Sequence, residues 1–314
     1  MLTKANLKSL ATGMVSFFPV VKIFTCRGTG GTGSARYCYS VWFRHVQKLF
    51  SAGVMQSIPQ AVAELGPGDS LGIGLCSLLS GARSYYAFDA IKHAASDRNM
   101  RIFEELIRLF SMRTDIPDGN EFPLLRPQLN SYSFPSEILS DNLLRASLTN
   151  SNIEGIKRSL AGNKPESYIR YVAPWNSEAE LQPETVDLVI SQAVLEHVED
   201  IGNTYRSIFK WLKPSGIMTH TIDFKSHGLT RAWNGHWTIS APLWKIVKGR
   251  RPYLLNRLPR SAHISEIERA GFRVVYEEKS EMPPISKKGV AREFKHLDDE
   301  DLKTSGTFII AVKP

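Results

Sequence analysis

Ala63-Glu64-Leu65-Gly66-Pro67-Gly68-Asp69-Ser70-Leu71-Gly72 holds the end of one element, a turn and the start of the next. The apolar run Ala61 to Leu65 predicts a buried strand, Gly66-Pro67-Gly68 breaks it, and Leu71 to Leu79 predicts a helix. Glycines let the main chain turn tightly and lie close to a ligand, and the first turn of a helix offers free N–H groups. A second apolar run, Ser84 to Phe88, ends in Asp89, where a carboxylate can accept both hydrogen bonds of a ribose diol. Strand, glycine turn, helix, strand and acid together predict a nucleotide-binding corner.

Working outward, the 314 residues suffice for one α/β domain with insertions. The net charge of +8 suits an anionic partner, yet only short basic runs such as Lys248-Gly249-Arg250-Arg251 occur, and no nucleic-acid-binding motif does. Cys26, Cys38 and Cys76 have neither metal nor redox spacing and read as reduced, cytoplasmic thiols; no metal site is expected. The apolar run Met14 to Phe24 is too short to span a bilayer and contains Pro19 and Lys22, which leaves peripheral membrane contact open.

Residues 1–57 read as an N-terminal arm, with a glycine-rich loop from Cys26 to Ser34 and a helix from Tyr37 to Phe50. The loop and Tyr37 are either a lid over the ligand or an arm packed on the sheet. The rest, 58–314, reads as one domain with insertions at about 93–166 and 224–261. The first insertion contains helical patterns at Asp97 to Ser111, capped by Ser96 or Asp97, at Ser136 to Leu148, capped by Ser136, and at Asn152 to Leu160. Further strands are expected at Tyr168 to Val172, Ile217 to Ile222, Phe272 to Glu277 and Thr307 to Val312, with helices at Ile201 to Leu212 and His263 to Ala270.

The spacing Gly66-x-Gly68-x-x-x-Gly72, with Glu64 two residues earlier, departs from the dinucleotide fingerprint, which needs glycine at Leu71. It resembles motif I of the class I S-adenosylmethionine-dependent methyltransferases. Glu184 to Val198 (ETVDLVISQAVLEHV) is similar to the fourth strand and following turn of that family, of the type 11 kind, and Leu212-Lys213-Pro214-Ser215-Gly216 to its entry into the fifth. The segment Trp244 to Arg260, with Asn256-Arg257-Leu258, resembles methyltransferases encoded among sugar and polysaccharide biosynthesis genes.

The resemblance implies a Rossmann-like, mostly parallel seven-stranded sheet with helices on both faces, the seventh strand antiparallel between fifth and sixth. It implies S-adenosylmethionine as cofactor, held by Glu64, Gly66, Gly68, Asp69, Gly72, Asp89, Trp175, Asn176, Ser191 and Gln192, with Trp175 stacking on adenine. His197 serves either as a general base or to close the turn into the next helix. His220, Asp223 and His227, at the end of the fifth strand, are the candidate acid–base group: Asp223 orients a histidine that takes the acceptor's proton. That chemistry suits a hydroxyl, hence a small or saccharide acceptor methylated on oxygen. Two other readings stay open: an NAD(P)-dependent oxidoreductase or epimerase, opposed by Leu71, and a non-catalytic binding protein on the same fold. Acceptor and oligomeric state are not legible.

Overall fold

The computed structural model describes residues 4–16, 31–162, 168–175, 178–251 and 253–314. Its strands are β1 (Ala61–Leu65), β2 (Ser84–Phe88), β3 (Ile169–Val172), β4 (Val186–Gln192), β5 (Leu212–Asp223), β6 (Arg273–Glu281) and β7 (Thr304–Val312). They form one sheet in the order β3-β2-β1-β4-β5-β7-β6. β1 to β5 are parallel, and β7 runs antiparallel between β5 and β6, as the family resemblance implies. The order reverses at β1, which pairs with β2 on one side and β4 on the other, so a crevice opens beyond their carboxyl ends.

The helices among the described residues are α1 (Lys4–Val15), α2 (Ala35–Ser51), α3 (Gly72–Leu79), α4 (Ser96–Ser111), α5 (Asp141–Ser147), α6 (Asn150–Leu160), α7 (Ile201–Trp211), α8 (Ala241–Lys248), α9 (Arg260–Arg269) and α10 (Asp299–Lys303). Strand alternation divides the sheet between two cores. Val62, Leu188, Ile190, Phe308 and Ile310 face α2, α3 and α4. Ala61, Ala63, Val189, Met218, Ile309 and Ala311 face α7 and α9.

Three details depart from the sequence reading. β5 starts at Leu212 rather than Ile217, because Lys213-Pro214-Ser215-Gly216 forms an irregularity inside the strand: Val186 pairs with Leu212 but Leu188 with Ile217. Ser96 does not cap α4; its hydroxyl donates to Leu160 O (3.3 Å), and Ala95 takes the cap position. Ser140, not Ser136, caps α5, its Oγ accepting from Leu143 N.

The first insertion is tied to α2 by two cations, Arg36 paired with Glu121 (2.6 Å) at the surface and Arg44 deeper in. Arg44 is fully buried, and its guanidinium donates to the carbonyls of Pro117 (3.3 Å), Leu125 (3.3 Å) and Pro127 (2.7 Å), with the Tyr132 ring 4.9 Å away. A buried guanidinium needs acceptors for its rigid fork of donors, and here main-chain carbonyls supply them.

Candidate active site

A cavity of about 850 Å³ opens at the carboxyl ends of β1, β2 and β4, toward the upper part of the ~300–1,000 Å³ range of small-molecule sites. One wall is the glycine corner. Gly66 and Gly68 have φ of +64° and +71°, in the left-handed region that side chains disfavour, and a Cβ on Gly66 would collide with Val194. Asp89 also faces the cavity; its Oδ2 accepts from Gly68 N (3.3 Å) and its Oδ1 from Ala90 N (2.7 Å). Each oxygen keeps a free lone pair for a ligand. Burial raises the carboxyl's pKa above the ordinary range, partly offset by these N–H groups. Trp175 N donates to Asp89 O (3.0 Å), and its half-buried ring packs edge-on against Phe88 and Trp211 at the cavity side.

Thr32 and Tyr37 complete this end, with the main chain of Asp69 donating to Thr32 Oγ1 (3.0 Å). The arm is therefore both packed on the sheet, through α2, and part of the wall. Asn176 and the loop residues Cys26 to Gly30 lie outside the described residues.

Several residues expected at the cofactor stand elsewhere. Glu64 is sealed beneath the corner, where Tyr85 donates its hydroxyl to Oε2 (2.5 Å), and burial pushes its pKa up to about 8. Gly72 is small because α2 and α4 press on it: a Cβ would strike Cys38 and Ile102. Asp69 turns to Arg98 (3.6 Å). Ser191 and Gln192 are neighbours on β4 and so point to opposite faces. Gln192 reaches the cavity and bonds His45 Nε2 through Oε1 (3.1 Å), whereas Ser191 Oγ bonds His220 Nδ1 (2.7 Å) in the α7 layer.

The proposed acid–base group is also redistributed. His220 shares its side of β5 with Met218 and Ile222, is fully buried off the cavity, and is pushed down to about 3 by desolvation. It cannot reach an acceptor. His227 lies just outside the wall, its Nε2 3.5 Å from Asp223 Oδ2. Burial raises the Asp223 carboxyl, but His227 and Lys225 outweigh it and hold it down at about 2. Among the described residues no three His, Cys, Asp or Glu side chains are grouped to hold a metal ion.

Among the described residues two histidines line the cavity: His93, just beyond Asp89, and His197, in the turn after β4, its ring 5.2 Å from that of His227. The Nδ1 of His197 is buried with no hydrogen-bond partner, and desolvation followed by the nearby His227 pushes its pKa down to about 4. Neutral imidazole is the form that accepts a proton. Val198, Glu199, Asp200, Asn203 and Tyr253 continue this wall. Glu199 pairs with Lys248 (2.5 Å), and Asp200 caps α7 through Asn203 N (2.9 Å). No Lys or Arg is among the described lining residues.

A sheet of this order, with a glycine corner at the switch point and an acid after β2, is the architecture of the class I methyltransferases. Residues 137–219 match the family model for the methyltransferase domain (Methyltransf_11), over β3, β4, the Leu195–Val198 turn and most of β5. Among solved structures the chain is similar to a SAM-dependent methyltransferase from Methanosarcina mazei, with 15% identity and a TM-score of 0.45 over 84% of this chain and 96% of that one. A methyltransferase from Mesorhizobium loti shares 11% identity, TM-score 0.39, over 83% and 94%. Haemonchus contortus phosphoethanolamine N-methyltransferase 2 shares 14%, TM-score 0.42, over 89% of this chain and 56% of that one. No curated protein matches the sequence.

Proposed function

We propose that the chain is an S-adenosylmethionine-dependent methyltransferase whose acceptor is a neutral, saccharide-type molecule methylated on a hydroxyl oxygen. The observation that carries this reading is His197, an imidazole on the cavity wall that burial keeps neutral. A hydroxyl must lose its proton during methylation, and a wall without Lys or Arg among its described residues offers no counter-charge to a phosphate or carboxylate.

The residues of the opposite wall fit the cofactor. Asp89 would accept from the ribose diol, the main chain at Gly66–Gly68 leaves room for close approach, and Trp175 would offer its ring to the adenine. S-adenosylmethionine supplies an electrophilic methyl group when bound. The chain's own contribution is then to align the acceptor, exclude water, and take the hydroxyl proton at the His197 ring, with Asp223 nearby favouring the charged imidazole that results and His227 opposing it. A cytoplasmic setting is inferred as well, since Cys38 and Cys76 are buried free thiols.

Methyl-labelled S-adenosylmethionine, incubated with neutral sugars and glycosides, phosphorylated sugars and primary amines, tests the reading. Label is expected in a neutral hydroxyl acceptor. Label confined to amines or to phosphorylated sugars would overturn it.

A further inference from the structure

The end of α1 and the outer face of α8 form a surface beside the cavity mouth that is both apolar and basic. The two segments are closely joined: a side chain on Gly13 would collide with the carbonyls of Ile246 and Val247, and Arg250 N donates to Ser16 Oγ (2.9 Å). Trp244 and Val247 turn inward with Leu229, Ile239 and Leu255, which fixes the opposite face of α8 outward. There Met14, Val15 and Ile246 are 52%, 42% and 40% exposed, and Tyr253, a little further on, 44%. These four are half of the eight large apolar side chains so exposed among the described residues, so the clustering is not ordinary surface scatter.

Charge accompanies them. Lys245 and Arg250 are exposed, Lys248 and Arg251 partly so, and residues 241–251 contain no acid. Tyr253 and Glu199, the partner of Lys248, also line the cavity, so the surface runs up to its mouth.

We propose that this surface docks on an anionic lipid membrane, from which the acceptor is presented to the cavity. The second half rests on the acceptor reading above; the docking does not. Apolar side chains ringed by cations match the boundary between anionic headgroups and acyl chains, where each Lys or Arg contributes about fivefold in binding. A protein partner would ordinarily present a rim of both signs, and the run 241–251 offers only one.

Co-sedimentation with vesicles of phosphatidylcholine alone, and of phosphatidylcholine mixed with phosphatidylglycerol, tests this. The protein is expected on the anionic vesicles only, and to be released by salt. The double variant Lys245→Glu/Arg250→Glu should weaken binding about 25-fold, taking about fivefold for each cation lost. Met14→Asp/Ile246→Asp should abolish it, and both variants should keep wild-type affinity for S-adenosylhomocysteine. Equal sedimentation on both vesicle types, none on either, or unchanged binding of both variants overturns the docking. So does a dimer in sedimentation velocity that Ile246→Asp dissociates, since the surface would then belong to a second copy. Vesicle binding as expected, with label passing only to amines, supports the docking and removes the acceptor reading.

Discussion

The two walls of the cavity are made of different material. The corner at Gly66–Gly68 is main chain held in left-handed conformations, with one carboxylate, Asp89, fixed by N–H groups of the same corner. The facing wall is side chain: His197 from the turn after β4, Asp200 and Asn203 from the start of α7, and Tyr253 from beyond α8. A wall of backbone tolerates change in its neighbours, because its shape depends on a few φ angles. A wall of side chains changes with each substitution. One enzyme can thus keep its cofactor site while its acceptor pocket varies.

If the walls are separable, single variants will divide turnover from cofactor affinity. The largest effect is expected at His197. Removing a general base lowers rate by about 10²–10⁴-fold, so His197→Ala should lose turnover on this scale in single-turnover labelling while calorimetry finds S-adenosylhomocysteine binding nearly unchanged. Affinity falling in step with turnover would join the walls that the comparison divides.

On the other wall, Asp89→Ala removes a charged acceptor. It should cost about 1.5–3 kcal/mol, or about ten- to a hundredfold in S-adenosylhomocysteine affinity. An unchanged dissociation constant in a folded variant would take Asp89 out of the site.

Glu64 sharpens the comparison from below, since it belongs to the corner in sequence but not in contact. Glu64→Gln should shift cofactor affinity by no more than about twofold, the change expected when no ligand contact is lost. Its effect should appear in stability against pH. His45 and His197 are pushed down to about 4 by burial, and His220, His236 and His263 to about 3. Each folded value lies below the unfolded ~6.5, so these groups leave stability intact above pH ~6.5 and erode it as pH falls toward the folded values. Glu64, raised to about 8, and Glu196 and Asp89, both raised by burial, act oppositely: their contribution is full in acid and is lost as pH rises, for Glu64 as pH rises toward 8. Five histidines outweigh three carboxyls below ~6.5, and only the carboxyls act above it, so the urea midpoint should peak near pH ~6.5. Glu64→Gln should flatten the alkaline decline. A midpoint constant from pH 5 to 6.5 would contradict the buried neutral histidines.

How much of this can be read from the sequence follows the same division. Apolar runs give every strand and its order of appearance, and Gly66, Gly68 and Asp89 announce themselves because local spacing is what places them. Gly72 misleads: its smallness serves contact with Cys38, a neighbour in space and not in sequence. Pro214 and Gly216 read as a helix stop, since a break inside a strand has the same composition. Alternation alone separates Ser191 from Gln192, and sets His220 with Met218 and Ile222 on the core side, so those two assignments were correctable without coordinates. His197 is legible as a candidate because it follows β4 directly; Tyr253 is not, since it reaches the wall through the second insertion, whose path depends on packing such as Trp237 Nε1–H donating to Arg257 O (2.9 Å), which no spacing foretells.

The buried Arg44 has a consequence for the order in which the chain assembles. Its acceptors at Pro117, Leu125 and Pro127 lie more than seventy residues along the chain, so closing that span must precede any benefit from the bonds. Until α2 is seated, the stretch 117–127 lacks the partner its carbonyls require, and a loop in that condition is open to proteases and to amide exchange. Amide protection in this stretch would therefore track the docking of a helix that precedes the first strand, and a late-forming arm would leave the front of the cavity unfinished while the sheet behind it is already complete.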